Sequence, residues 1–359
     1  MTELPFVRER PDRGVATPLT LAELRAFDAI LDARSPSEYA DDHLPDAQSV
    51  PVLDDAERAR VGTIYKQESA FEAKRVGAPL VARNIARAIE ERFAGMPKHW
   101  RPLVYCWRGG GRSGSLVHVL RQVGWDAVRL EGGYKAFRKQ VVADLETLPQ
   151  AFRFEVVCGA TGSGKSRLLE ALAAEGAQVL DLELLAAHRG SVLGERPDAP
   201  QPTQKSFETA IWTRLSSFDP AQRVFVESES RKVGDLRVPA ELIERMRGSA
   251  CLRLEASEET RVRLLREDYE HFERDPALLV EKLECLRPLH GAERIEGWKG
   301  ALARGDWDGL VRELLVAHYD PAYERSMFRN YVNAAGARVV SVTQFTRDGF
   351  RALARSILR

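Results

Sequence analysis

The sequence predicts an α/β protein of two domains, each built on a parallel sheet. Three observations carry that prediction. Short apolar runs alternate with helix-like segments from Phe27 onward, the pattern of strands joined by helical crossovers. Two of these runs lead into glycine-rich loops, Cys106-Trp107-Arg108-Gly109-Gly110-Gly111-Arg112-Ser113 and Gly159-Ala160-Thr161-Gly162-Ser163-Gly164-Lys165-Ser166, each followed by a helix-like segment. A chain of 359 residues is also long enough for two domains of ordinary size.

Residues 1–20 read as an irregular lead-in. Ala29-Ile30-Leu31-Asp32-Ala33-Arg34 is a short buried strand, and Ser35-Pro36-Ser37-Glu38 is a helix start with Ser35 or Ser37 as cap. Gln48–Val52 is a second strand. Residues 54–97 are mostly helical, with apolar side chains at helical spacing from Val81 to Ile89. Pro102–Tyr105 is the strand before the cysteine loop, Ser115–Val123 the helix after it, and Ala127–Leu130 the next strand. Gly132-Gly133 opens a last helix. The junction falls at about 139–152, giving domains 1–140 and 150–359. Strands of the second domain are expected at Phe154–Cys158, Gln178–Leu182, Arg223–Glu227, Ala250–Leu254 and Arg338–Val342. A helical insert is expected over about 257–332.

The formal net charge is zero, so any nucleic-acid surface must be a local patch. The C-terminal stretch is locally basic, with Arg325, Arg329, Arg338, Arg347, Arg351, Arg355 and Arg359 against Glu324 and Asp348. The four cysteines are scattered without a CxxC pair, which argues against a structural metal site. Few cysteines and no signal-like N-terminal pattern lead us to expect a reducing, cytoplasmic setting. No apolar run approaches membrane-spanning length.

A thiolate is the reactive form of cysteine, and a run of backbone N–H groups entering a helix N-terminus favours an anion. Three successive glycines after Cys106 allow a tight curl, and Arg108 and Arg112 add cationic donors. The loop is suited to a Cys-bound chalcogen or an oxyanion donor. Its Cys-x5-Arg spacing also fits a cysteine phosphatase, in which Arg112 grips the phosphoryl oxygens. That reading lacks the usual His before the cysteine, where Tyr105 stands, and an evident Asp general acid.

Gly159-x4-Gly164-Lys165-Ser166 has the full phosphate-binding spacing, between the strand Phe154–Cys158 and the helix Arg167–Ala174. Gly159, Thr161, Gly162, Ser163 and Gly164 offer backbone N–H groups to phosphate oxygens. Lys165 reaches the outer phosphate and the Ser166 hydroxyl suits Mg²⁺. Val224–Arg231 resembles a Walker B strand with Glu227 in place of Asp. Asp181 and Glu183 end the neighbouring strand, so Asp181, Glu227 and Glu229 are candidates for Mg²⁺ or substrate positioning. We expect Mg²⁺ and no organic cofactor.

Leu31-Asp32-Ala33-Arg34-Ser35-Pro36-Ser37-Glu38-Tyr39, followed by His43-Leu44-Pro45-Asp46-Ala47, resembles the entry motif of the rhodanese family, with Asp42 where a glycine is usual. Glu131-Gly132-Gly133-Tyr134-Lys135-Ala136-Phe137 resembles its closing segment. The resemblance makes Cys106 the chalcogen carrier and gives Asp32, Arg34, Glu38 and His43 bracing roles. A rhodanese-like half joined to a P-loop half resembles the tRNA 2-selenouridine synthase family over nearly the whole chain. The segments Gly62-Thr63-Ile64-Tyr65-Lys66-Gln67, His188-Arg189-Gly190-Ser191, Glu227-Ser228-Glu229-Ser230-Arg231 and His318-Tyr319-Asp320-Pro321 extend it beyond the two loops.

The resemblance implies exchange of sulfur for selenium at a tRNA wobble 2-thiouridine, through an S-geranyl intermediate. Geranyl diphosphate and selenophosphate are the implied co-substrates, and a selenophosphate-supplying enzyme is an implied partner; no membrane partner is expected. The implied catalytic residues are Cys106, Arg108 and Arg112. Trp107, Tyr134, Trp212, Trp298 and Tyr319 are candidates to stack on RNA bases. Arg231, Arg261, Arg263, Arg266 and the C-terminal arginines are candidates for phosphates. Two other readings stay open: a cysteine phosphatase fused to a P-loop small-molecule kinase, and a nucleotide-switched binding module whose first half is inert.

Overall fold

A computed structural model of the chain describes residues 14–17, 19–197 and 199–359. The architecture is α/β throughout, in two compact units. The first runs up to Asp144 and includes Thr203–Ser217; the second comprises Leu145–Pro202 and Phe218–Arg359.

The first unit holds a five-stranded sheet of β1 (Gly14–Val15), β2 (Ala29–Asp32), β3 (Ala47–Ser49), β4 (Pro102–Tyr105) and β5 (Val128–Leu130). All pairings are parallel and the order is β1-β5-β4-β2-β3. Every residue of β4 is buried, as a central parallel strand covered on both faces requires. Its core gathers Leu31, Val104, Leu116, Trp100 and Trp125. The helix Pro36–Asp41 starts where the sequence signals it, the Ser35 amide donating to Glu38 Oε2 at 3.1 Å.

One expectation needs correction here. The lead-in contains β1, whose pairing with β5 makes it a sheet edge; residues 1–13 and 18 lie outside the described residues. The expected junction is largely helix, Gly133–Thr147 followed by a 3-10 turn over Leu148–Ala151. Packing carries the helix on. Val141 and Leu145 are buried, and the Gln140 amide accepts from Leu19 N and donates to Leu19 O, both at 2.9 Å.

The segment Thr203–Ser217, which the sequence reading put in the second domain, packs with the first. Its helix, Gln204–Ser216, buries Trp212 edge-on against Phe137, with ring centroids 5.5 Å apart. Trp212 Nε1 donates to Asp144 Oδ2 at 2.8 Å. Thr209 Oγ1 donates to Asp42 Oδ2 at 3.0 Å, and Tyr134 O–H reaches the same oxygen at 2.9 Å. Asp42 therefore has a physical reason to replace the glycine usual there: its carboxylate ties the helix to the body. Arg138 pairs with Glu208 alongside.

The second unit holds β6 (Arg153–Cys158), β7 (Gln178–Leu180), β8 (Arg223–Glu227), β11 (Ala250–Glu255) and β12 (Arg338–Ser341), all parallel in the order β12-β11-β6-β8-β7. Strands β9 (Lys232–Val233) and β10 (Leu236–Arg237) form a small antiparallel pair. β7 stops short of the expected Leu182 because Asp181 caps a short helix, accepting from Leu184 N at 2.7 Å. The insert is a set of helices from Glu258 to Asn330 with its own core of Phe272, Leu283, Trp298, Leu310 and Leu314. The last helix, Arg347–Leu358, buries Phe350, Ala354 and Ile357 in the main core of this unit. Among the described residues no helix is long and apolar enough to cross a membrane.

Replacing Trp212 by alanine should destabilise the first unit by about 3–5 kcal/mol, the range for emptying a large aromatic site. Denaturant unfolding of the full chain, followed by Trp100 and Trp125 fluorescence, measures it.

Candidate functional site

In the first unit, β4 delivers Cys106 to the mouth of a loop that enters the helix Gly111–Val123. The thiol is 3% exposed, and Ser113 Oγ donates to Cys106 Sγ at 3.2 Å. The Gly132-Gly133 segment closes over the loop: Tyr134 N donates to Cys106 O at 2.9 Å and Lys135 N to Trp107 O at 3.0 Å. A Cβ on Gly133, where φ is +56°, would lie 2.2 Å from Cys106 O, so only glycine fits that close approach.

The bracing residues surround this loop. Arg34 and Asp32 form a buried pair at 2.6 Å, and Arg34 Nη2 donates to Asp42 O at 2.6 Å. The Arg34 guanidinium lies 4.0 Å from the Tyr134 ring centre. His43 stacks on Tyr39. Arg112 spans both oxygens of Glu38, at 2.5 and 3.1 Å. Burial alone would raise the Glu38 carboxyl, but Arg112 holds it below the ordinary carboxylate range. The Arg112 fork is thus filled by Glu38, while Arg108 is exposed.

In the second unit, β6 runs into the phosphate loop and the helix Lys165–Ala174. Lys165 Nζ folds back onto Gly159 O at 2.8 Å, and Gly159 N donates to the Tyr323 hydroxyl at 2.6 Å. Ser166 Oγ donates to Glu183 Oε2 at 3.1 Å, and Glu183 N donates to Glu227 Oε1 at 2.7 Å. Register explains the convergence: Glu227 pairs across the sheet with Val157, two residues before the loop. Gly190 packs over these acids, where a Cβ would meet Glu229 Oε1 at 2.7 Å and Glu183 Oε1 at 2.8 Å.

Burial is the largest cause raising all three carboxyls; acidic neighbours add to it for Glu227 and Glu229, while Lys165 opposes it at Glu183. Glu183 lies above its ordinary value, Glu227 well above, and Glu229 is pushed up to about 8. Glu227 Oε2 and Ser163 Oγ are buried without a hydrogen-bond partner. Among the described residues no group of three or more His, Cys, Asp or Glu is arranged to hold a metal by itself. An ion that takes only one or two protein ligands, the habit of Mg²⁺ on a bound phosphate, fits Ser166 and the orphaned Glu227 oxygen.

An apolar pocket lies beside the loop. Thr161 is on its lining with Leu265, Tyr269, Phe272, Leu310 and Leu314. Two of the quoted segments frame it. Ser191 Oγ and the Tyr269 hydroxyl are 3.2 Å apart, and Arg189 lies 4.9 Å from the Tyr269 ring centre. Tyr319 is on the lining, and Asp320 pairs with Arg261 at 3.0 and 2.5 Å.

The candidate RNA contacts are largely spent inside the protein. Arg261 Nε donates to Thr161 O at 2.9 Å, so it shapes the phosphate loop. Arg266 pairs with Glu273 and Asp308 at 2.8 and 3.0 Å, and Arg351 and Arg355 both hold Glu175 at 2.8 Å. Tyr134, Trp212 and Trp298 are buried. Trp107 is 38% exposed, and Arg231, 74% exposed, has only a loose 3.6 Å contact with Glu244. Sequence reasoning missed Tyr323 and the structural use of Arg261, because both depend on contacts more than fifty residues distant.

These two units define a class: a rhodanese-like body carrying a buried cysteine loop, in one chain with a P-loop body. Residues 17–140 match the rhodanese-like domain family, and residues 152–279 match the family described as the tRNA 2-selenouridine synthase AAA domain. Full-length relatives bear the name tRNA 2-selenouridine synthase. That of Marinobacter nauticus is 32% identical, covering 82% of this chain and 87% of its own. That of Hydrogenovibrio crunogenus is 34% identical, over 83% and 89%, and that of Alcanivorax borkumensis 35%, over 84% and 90%. The chain belongs to the tRNA 2-selenouridine synthase family.

The raised Glu229 carboxyl has a pH consequence. A folded value above the unfolded 4.5 contributes stability that is full below about pH 4.5, is lost as pH rises towards about 8, and is level beyond. Glu229→Gln should flatten that decline, read as the melting temperature of the second unit between pH 5 and 9.

Proposed function

We propose that this protein converts 2-thiouridine in tRNA to 2-selenouridine in two steps, alkylation by geranyl diphosphate and then replacement by selenium from selenophosphate. Family membership supports the overall reaction. The observation that carries the first step is the apolar pocket whose lining includes Thr161 of the phosphate loop. A ligand with a diphosphate head and a short hydrocarbon tail suits that pairing better than a nucleotide, whose base and ribose are polar.

In the first step the loop N–H groups and Lys165 take the diphosphate, Lys165 leaving its contact with Gly159 O. The thio sulfur of the uridine attacks the first carbon of the geranyl group, the C–O bond breaks, and diphosphate leaves into the N–H cradle. Mg²⁺, held by Ser166 and Glu227, would supply further charge neutralisation. Leu265, Phe272, Leu310 and Leu314 keep water from the allylic carbon.

In the second step the selenium of selenophosphate attacks the ring carbon and geranylthiolate leaves, which an S-alkylated pyrimidine allows and a free thiocarbonyl resists; water then cleaves the P–Se bond and phosphate is released. Cys106 is the proposed holder of selenium, with the Ser113 hydroxyl bonded to its sulfur. Loading selenide-level selenium onto the thiol as a Cys–S–Se species takes a two-electron oxidant and its release takes two electrons back from a thiol, whereas direct attack by selenophosphate needs neither. Glu38 occupies the Arg112 fork that a Cys-x5-Arg phosphatase would turn on a phosphoryl group, which disfavours the hydrolytic alternative.

Nucleoside mass spectrometry of 2-thiouridine tRNA, incubated with the protein, Mg²⁺ and geranyl diphosphate, tests the reading. S-geranyl nucleoside is expected without selenophosphate, and selenouridine once it is added. Lys165→Ala should lower geranyl transfer at least about 100-fold, the scale of losing a main charge-stabilising group. Cys106→Ser should still geranylate but stop there. Geranylation at the parental rate by Lys165→Ala would remove the phosphate loop from the first step.

A further inference from the structure

The Gly62–Gln67 segment was quoted among the features of the chain, yet neither candidate site uses it. It lies in a helical hairpin of the first unit, Asp55–Gln67 followed by Ala70–Ala88. The hairpin is firmly built. Gly77 faces Val61 across the pair, where a Cβ would make an ordinary contact at 3.4 Å. Asn84 Nδ2 donates to Glu57 Oε2 at 2.7 Å and to Val52 O at 3.2 Å. Ser69 caps the second helix, accepting from Glu72 N at 3.0 Å.

The tip of this rigid element is used by nothing inside the unit. Tyr65 is 63% exposed and Phe71 is 70% exposed, one on each side of the turn. Neither ring has an aromatic or cationic partner among the described residues. On the same two helices Arg60, Lys66 and Lys74 are exposed and form no ion pair among the described residues, with Glu68 the exposed acid at the turn. Arg75 is paired with Glu72 at 2.6 Å, and Arg58 lies 3.9 Å from Glu38. Lys66 adjoins Tyr65 in sequence, and Lys74 lies one turn from Phe71.

Isolated flat rings set among unpaired cations do not make a contiguous apolar patch for a protein partner. They do match a polyanion that presents flat faces, in which bases stack on rings and phosphates meet cations. We propose that the hairpin tip is an RNA contact surface. Tyr65 and Phe71 stack on unpaired bases, and Arg60, Lys66 and Lys74 meet the flanking phosphates. The inference rests on the reading that the substrate is tRNA, and adds where on this chain that RNA is gripped.

The test uses the full chain and a fluorescent tRNA anticodon stem-loop, with anisotropy measured from 50 to 200 mM salt. Tyr65→Ala/Phe71→Ala should weaken binding about thirtyfold or more, the lower range for losing two base stacks, with an unchanged salt slope. Lys66→Ala/Lys74→Ala should weaken binding and reduce the log–log salt slope by roughly 1.5. Lys98→Ala, an exposed cation outside the hairpin, should bind as the parent does. Melting curves and the Cys106 alkylation rate should match the parent in every variant. Parental affinity in both hairpin variants would overturn the proposal and leave the tRNA reading standing. A parent that binds no RNA would overturn both. Variants that lose binding to anionic vesicles but keep the stem-loop would make the tip a membrane contact, which also overturns it.

Discussion

Parallel pairing is the constraint on which the rest of this structure depends. When every strand of a sheet runs the same way, every strand's C-terminal end opens on one edge. In the first unit that edge receives Cys106 at the end of β4. In the second it receives the phosphate loop after β6, with Asp181 after β7 and Glu227 at the end of β8. The adjacency of β6 and β8 then brings an acid to the loop without any special local geometry.

The second site is built around charge that the protein does not neutralise. Three buried carboxyls stand near one lysine, and the lysine is turned onto a backbone carbonyl. Burial is the main reason these acids lie above their ordinary range. The first site follows the opposite rule. Asp32 with Arg34 and Glu38 with Arg112 are closed pairs, and they brace the loop around a core-packed cysteine whose sulfur accepts from the Ser113 hydroxyl.

Much of this was legible in the sequence, because the informative signals are local. The two loops, the strands that feed them and the helices that follow depend on neighbours within about ten residues. The acidic residues were recognisable as strand-end groups. What escaped was set by long-range packing. Arg261 and Arg266 read as free cations, yet each closes a pair with an acid more than forty residues away. Trp212 and Trp298 read as stacking candidates, yet core burial claims them. Conversely, Tyr65 and Phe71 stand at ordinary helical positions, and only their exposure marks them.

The helix Gln204–Ser216 ties the two halves together topologically. The chain passes from one compact unit to the other at Asp144–Leu145, again at Pro202–Thr203, and again at Ser217–Phe218. No single cut therefore releases either body whole. A gene fragment ending near residue 144 would encode a rhodanese-like body stripped of the partner for Phe137 and Asp42. The remainder would carry a helix whose buried tryptophan has lost its seat.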